Sequence, residues 1–135
     1  MTMDELEKLK PIVAKDLKIT EATVLSISLD VPILYHKYLD IFTVQFKLMK
    51  DKDNAMKELY GKLYDKYRFQ GDKQLDTKGE VETYVFSDAA YVKLQYEYNV
   101  QVTVVKYLES VLEAIGRITY TVGNFIKYRE FLVGK

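Results

Sequence analysis

The sequence has no cysteine and no tryptophan, a single histidine, two prolines and six glycines among its 135 residues. Without cysteine there is neither a disulfide framework nor a thiolate metal site, a usage that fits a reducing cytosol. With so little proline and glycine, few breaks interrupt the chain and long elements are expected. No run of eighteen apolar residues occurs, so a soluble protein without a membrane partner is expected. The start, Met1-Thr2-Met3-Asp4-Glu5, is acidic and lacks the apolar core of a secretory signal. Charge of one sign is also missing: 20 basic and 20 acidic residues cancel, and the pI is about 6.6. A dedicated monomeric nucleic-acid binder is usually strongly basic. Any DNA affinity here must come from a local patch, from repetition in an oligomer, or from both.

The residues that catalysis needs are equally scarce. His36 stands alone in Tyr35-His36-Lys37, where a surface role is the ordinary meaning. Gly61-Lys62 is followed by Leu63 and lacks both the preceding glycine and the following hydroxyl of a phosphate-binding loop. Most carboxylates lie in mixed-sign runs such as Asp51-Lys52-Asp53, the pattern of a solvated helix face. No catalytic residue, metal site or cofactor is expected, and the chain reads as a non-enzyme.

The length suits one domain. The periodicity predicts a single helical domain over residues 1–135: N-terminal helices over 1–69, a linker over 70–79 and a C-terminal helix over 80–135. Asp4 to Leu17 carries Leu6, Leu9, Val13 and Leu17 at helical spacing, with Pro11 expected to kink or divide the helix. Leu25, Ile27, Leu29 and Val31 alternate with polar residues, so this segment reads as strand or helix with equal right, and its one possible strand partner is Val81 to Val85. Asp30 before Pro32 is a possible cap for a helix beginning there. From Pro32 to about Phe69 one stripe runs Leu34, Tyr38, Ile41, Val44 and Leu48, and returns at Met56, Leu59, Leu63 and Tyr67. The polar stretch Lys50 to Asn54 between them holds no Gly or Pro and reads as a solvated turn of one helix. Gly71, Asp72, Asp76 and Gly79 mark the linker, and Ser87-Asp88 a cap for the last long helix. Within that helix Val104, Leu108, Val111, Ile115, Ile118, Val122 and Phe125 follow a heptad rhythm, a seam between helices of one chain or of several. Gly116 and Gly123 beside it either permit a close helix approach or are merely tolerated.

Tyrosine is abundant, with 12 residues. Around Tyr60 the chain reads Tyr60-Gly61-Lys62-Leu63-Tyr64-Asp65-Lys66-Tyr67-Arg68-Phe69. Basic groups interleaved with flat rings suit single-stranded nucleic acid, since cations neutralise phosphates and rings offer stacking surfaces to any base. They equally suit an amphipathic helix with core-facing rings and snorkelling lysines. Residues Lys57 to Lys78 carry six basic and four acidic groups, a local excess of +2 in a neutral chain. The candidate nucleic-acid-binding residues are Lys57, Tyr60, Lys62, Tyr64, Lys66, Tyr67 and Arg68. Tyr91, Tyr96, Tyr98 and Tyr107 form a second group, for which packing or an oligomer contact is the default meaning.

The order of these features resembles a known family. An acidic N-terminal helix precedes Leu34-Tyr35-His36-Lys37-Tyr38-Leu39. There follow a long charged helix, the basic-aromatic stretch, Gly71-Asp72, a Ser87-Asp88 start and a closing Phe131-Leu132-Val133-Gly134-Lys135. Over nearly its whole length the chain is similar to the UvsY recombination mediators of tailed phages. The resemblance implies an all-α, long-helix hairpin protomer that assembles into a homo-oligomer and shifts Leu25 to Val31 toward helix. It also implies binding of single-stranded DNA, contact with the phage single-strand-binding protein, and loading of a RecA-like phage recombinase in the cytoplasm of the infected bacterial host. Of the family's DNA-binding motif, Lys-x-Arg-Leu followed by aromatics, Lys62-Leu63 corresponds to the Arg-Leu portion with lysine in place of arginine, Tyr64 and Tyr67 are the aromatics, and Tyr60 occupies the leading lysine position. The self-assembling C-terminal region corresponds to the heptad stripe Val104 to Phe125. A different class of reading, a purely structural phage protein that binds no DNA, is separable by testing for binding.

Overall fold

A computed structural model describes residues 1–69 and 77–134. Among them the elements in chain order are α1 (Met3–Asp16), α2 (Val24–Phe69), α3 (Lys78–Ser87), α4 (Ala89–Gly116) and α5 (Ile118–Leu132), with no strand. The protein is all-α. Thr2 caps α1 by accepting from the Glu5 N–H, and Asp4 and Glu5 complement the positive end of its dipole. Pro11 neither divides nor ends α1; it removes one backbone donor, and burial of Leu6 and Val13 on either side carries the helix through.

The ambiguous segment is resolved by which of its residues are buried. Val24 and Ile27 are buried, and Val31 and Leu34 half-buried, leading at spacings of 3, 4 and 3 to the fully buried Tyr38 four residues on. Leu25 and Leu29, half of the apparent alternation, are 70% and 79% exposed. Ile27 and Val31 thus belong to a helical stripe, and the alternation arises only from the two exposed leucines between its members. Val81 and Val85 are likewise one face of α3, four residues apart and fully buried.

Nor does Asp30 start a helix. α2 begins six residues earlier, behind a reciprocal pair: the Thr20 N–H donates to Thr23 Oγ1 (2.9 Å) and the Thr23 N–H to Thr20 Oγ1 (3.2 Å). The pair works like a capping box, two otherwise orphaned donors each satisfied by the other residue's side chain. From there α2 runs through Pro32 and through the charged stretch Lys50 to Asn54 without a break. The expected stripe is interrupted at Val44 and Leu48, which are 57% and 38% exposed; the buried position there is Gln45, whose Oε1 accepts from the Met1 ammonium at 3.0 Å.

The chain divides into two compact units, Met1–Gln45 with Val104–Lys135, and Phe46–Thr103. The core of the first is built by the heptad stripe. Val104 and Leu108 pack with Leu6 of α1, while Val111, Ile115, Ile118 and Val122 pack with Val13, Val24, Ile27 and Tyr38, and Phe125 lies against that cluster. The sequence assigns these seven residues to oligomerisation; in the structure six of them are buried within one protomer and Phe125 is half-buried against the same cluster. Val104, Leu108 and Ile115 are fully buried inside one protomer, so they have no surface left to offer a second. The stripe also crosses a junction at Arg117, where α4 gives way to α5. A Cβ added at Gly116 or Gly123 would meet nothing within 4 Å, so these glycines are tolerated and mediate no close approach. Asp16 ties α1 to α2, its Oδ2 accepting from both Lys37 Nζ and Tyr38 Oη at 2.7 Å.

Of the expected linker, residues 70–76 lie outside the described residues. Thr77 caps α3 by accepting from the Glu80 N–H, and Lys78 and Gly79 already belong to its first turn. Among the described residues no helix is long and apolar enough to cross a membrane.

Candidate nucleic-acid interface

In the second unit α2 lays Met56, Leu59, Tyr60, Leu63, Tyr64 and Tyr67 against Val81 and Val85 of α3 and Tyr91 of α4. The spacing along α2 produces one continuous face, and it places the tyrosine rings at a seam between helices of the same unit. Each hydroxyl has a partner. Tyr60 Oη donates to Glu82 Oε1 (2.8 Å), Tyr67 Oη donates to Asp88 Oδ2 (2.7 Å), and Arg68 Nη1 donates to Tyr64 Oη (3.1 Å). The bond to Glu82 raises the Tyr60 pKa above the usual phenolic value, and that to Asp88 does the same for Tyr67. Asp88 is held below the usual carboxylate range by Tyr67 and then by the Ala90 N–H. With that last bond, at 2.9 Å, Asp88 opens α4 as the sequence predicts.

The cations do not all share a side. At about 100° per residue, Lys57 and Arg68 leave α2 roughly 60° and 80° round from Tyr60, along the edge of the packed face. Lys62 and Lys66 leave it roughly 200° and 240° round, on the opposite flank, where Lys66 stands beside Leu59 of the packed face. Lys57, Lys62 and Lys66 are exposed and Arg68 is half-buried. Lys57 pairs with Asp53 at 3.3 Å, whereas among the described residues Lys62 and Lys66 form no salt bridge. Lys66 curls back so that its ammonium lies 5.2 Å from the Tyr67 ring centroid, and the Arg68 guanidinium lies 5.9 Å from that of Tyr64. Two of the tyrosines therefore orient cations and are at the same time anchored to the core.

Two rings of α3 that the sequence does not mark out complete this surface. Tyr84 of α3 lies 5.6 Å from Tyr67, and Phe86 of α3 lies 6.0 Å from Tyr60 and 5.3 Å from Tyr91. A helical reading of residues 78–87 puts Glu82 and Phe86 four apart on one side, but only the tertiary packing brings them to α2. Of the second tyrosine group, Tyr91 is buried here and Tyr107 half-buried in the first unit, as expected of packing residues, while Tyr96 is 68% exposed. His36 is exposed, and among the described residues no cluster of His, Cys, Asp and Glu has the arrangement of a metal site.

These features define an all-helical protein with a cation-edged aromatic surface in its second unit. The chain belongs to the UvsY family: residues 12–135 match the family model described as "Recombination, repair and ssDNA binding protein UvsY". Its fold is similar to the crystal structure of the bacteriophage T4 recombination mediator protein UvsY. The TM-score is 0.81 at 21% identity in one lattice type, covering 96% of this chain and 98% of that one. In a second lattice type it is 0.80 at 19% identity, covering 93% and 97%. No curated protein sequence matches the chain.

Proposed function

We propose that this chain binds single-stranded DNA in phage recombination and repair and acts as a mediator, helping a RecA-like recombinase to replace the single-strand-binding protein. The observation that carries the reading is the family match over residues 12–135, which includes both the basic-aromatic segment and the whole of the second unit. The exposed ammonium groups of Lys57, Lys62 and Lys66, with the Tyr64-held Arg68, supply charge for phosphates. A protomer with so small a local excess holds phosphates weakly. Several protomers acting on one strand gain avidity of about 10²–10⁴ with no new contact, so the active form is a homo-oligomer. The mediator turns over no substrate, needs no cofactor and works in the cytoplasm of the infected host.

The test is fluorescence anisotropy with labelled single-stranded oligonucleotides at several salt concentrations, on the parent and a Lys62→Ala, Lys66→Ala, Arg68→Ala variant. The variant should bind all sequences more weakly, with a flatter salt dependence and unchanged sedimentation. Parental affinity and slope would place the site elsewhere, with Lys8, Lys10, Lys15 and Lys18 the next cluster. If the parent fails to bind, the structural-protein reading replaces this one.

A further inference from the structure

We infer that an aromatic cavity in the second unit is a nucleobase site that takes one unpaired base, an inference that rests on the single-stranded-DNA reading above. The cavity measures about 300 Å³ and is lined by Asp53, Met56, Lys57 and Tyr60 of α2, Phe86 of α3 and Tyr91 of α4. It lies at the lower end of the size range of small-ligand sites, suited to a single ring system. Two of its rings are fixed by the fold: Tyr91 is buried, and Tyr60 is held through its hydroxyl by Glu82. Phe86 packs against both, at centroid distances of 6.0 Å from Tyr60 and 5.3 Å from Tyr91, yet is 46% exposed. The result is a supported aromatic surface with one ring open to solvent, the arrangement on which an unpaired base stacks.

The rim selects the occupant. Asp53 and Lys57 stand there together at 3.3 Å, so the mouth offers an acceptor and a donor with no net charge. A phosphate would meet the Asp53 carboxylate, and a purely aliphatic group would desolvate the ion pair without using it. A nucleobase is flat and uncharged, and its edge carries both donors and acceptors. The backbone of a strand whose base enters the cavity has cations to follow, since Lys57 and Arg68 leave α2 along the same side. Lys57 thereby serves the strand beside the cavity, and the base term adds to affinity without adding charge.

The absence of tryptophan makes the site directly observable. Phe86→Trp places a lone indole at the mouth of the cavity, and the exposure of Phe86 allows the larger ring. The full chain carrying this change is titrated with an oligothymidylate and with an abasic strand of equal length, both end-labelled so that anisotropy reports binding independently. The thymidylate should quench the indole, while the abasic strand binds without quenching. Phe86→Leu, which keeps an apolar side chain on α3, should weaken thymidylate binding about tenfold toward the abasic level and leave abasic affinity unchanged. Circular dichroism checks that both variants retain the parental helix content. An equal indole response to the two strands, or undiminished thymidylate binding by Phe86→Leu, overturns the base site and leaves the single-stranded-DNA reading standing. Failure of both strands to bind any form of the protein removes the two together.

Discussion

At the scale of single residues, hydroxyl–carboxylate pairs recur where helices meet: Tyr38 with Asp16, Tyr60 with Glu82 and Tyr67 with Asp88. The first is the most enclosed. Burial, and then Asp16, push the Tyr38 phenol well above its usual value, so it remains a donor at any ordinary pH. The Asp16 carboxyl is held below the usual range by the Lys37 bond, against the opposing pull of burial, with Tyr38 adding to the lowering. A carboxyl whose pKa is depressed by folding stabilises the fold fully above its unfolded value of about 4, and loses that contribution as pH falls through the folded value. Urea midpoints measured between pH 6 and pH 2 should therefore drop at the acid end, and Asp16→Asn should flatten that drop. An acid limb with the same slope in both proteins would remove Asp16 from the account. None of these pairs was legible in the sequence, because the partners lie 21 or 22 residues apart and only the packing of helices joins them. The cations were legible, since lysine exposure follows from composition and periodicity alone.

At the scale of elements, long helices followed directly from the lack of breakers, and α2 at 46 residues is the extreme case. Local signals mislead where they compete with burial. Leu25 and Leu29 imitated a strand because two exposed leucines filled the gaps of a helical stripe. Pro11 and Pro32 argued for boundaries and sit inside helices, since a lost backbone bond is a smaller quantity than the apolar burial on either side. Pro32 is exposed, so its ring contributes little packing to offset its cost. Interior proline is less favourable than alanine by about 3 kcal/mol, reduced by about 1 kcal/mol because proline also stiffens the unfolded chain. Pro32→Ala should thus raise stability by roughly 2 kcal/mol, read as a higher denaturant midpoint with unchanged slope. A lowered midpoint would mean that the core of the first unit needs the local geometry proline imposes.

For the whole molecule, a neutral chain with a regular heptad stripe invites the conclusion that the stripe joins subunits. Periodicity reveals that a face is buried but carries no information about what buries it, and here α1 and the first turns of α2 do so within one protomer. The exposed apolar residues lie elsewhere, among them Leu25, Leu29 and Ile33 of α2 and Phe131 and Leu132 of α5. This changes what disruption of the stripe should do. Each fully buried Leu or Ile stabilises by roughly 1.5–3 kcal/mol, and a lysine in its place adds the cost of an unpaired buried charge. Two such changes approach the whole stability of an ordinary domain, about 5–15 kcal/mol. Leu108→Lys with Ile115→Lys should therefore leave little folded protomer, seen as loss of helix signal in the far-ultraviolet and of a cooperative thermal transition. The milder Leu108→Ala should keep the fold and cost about 2–5 kcal/mol. If sedimentation instead found the double variant as well-folded monomers with parental helix content, the stripe would belong to a subunit contact after all. The core of the first unit would then need a different set of side chains to hold α4 and α5 against α1.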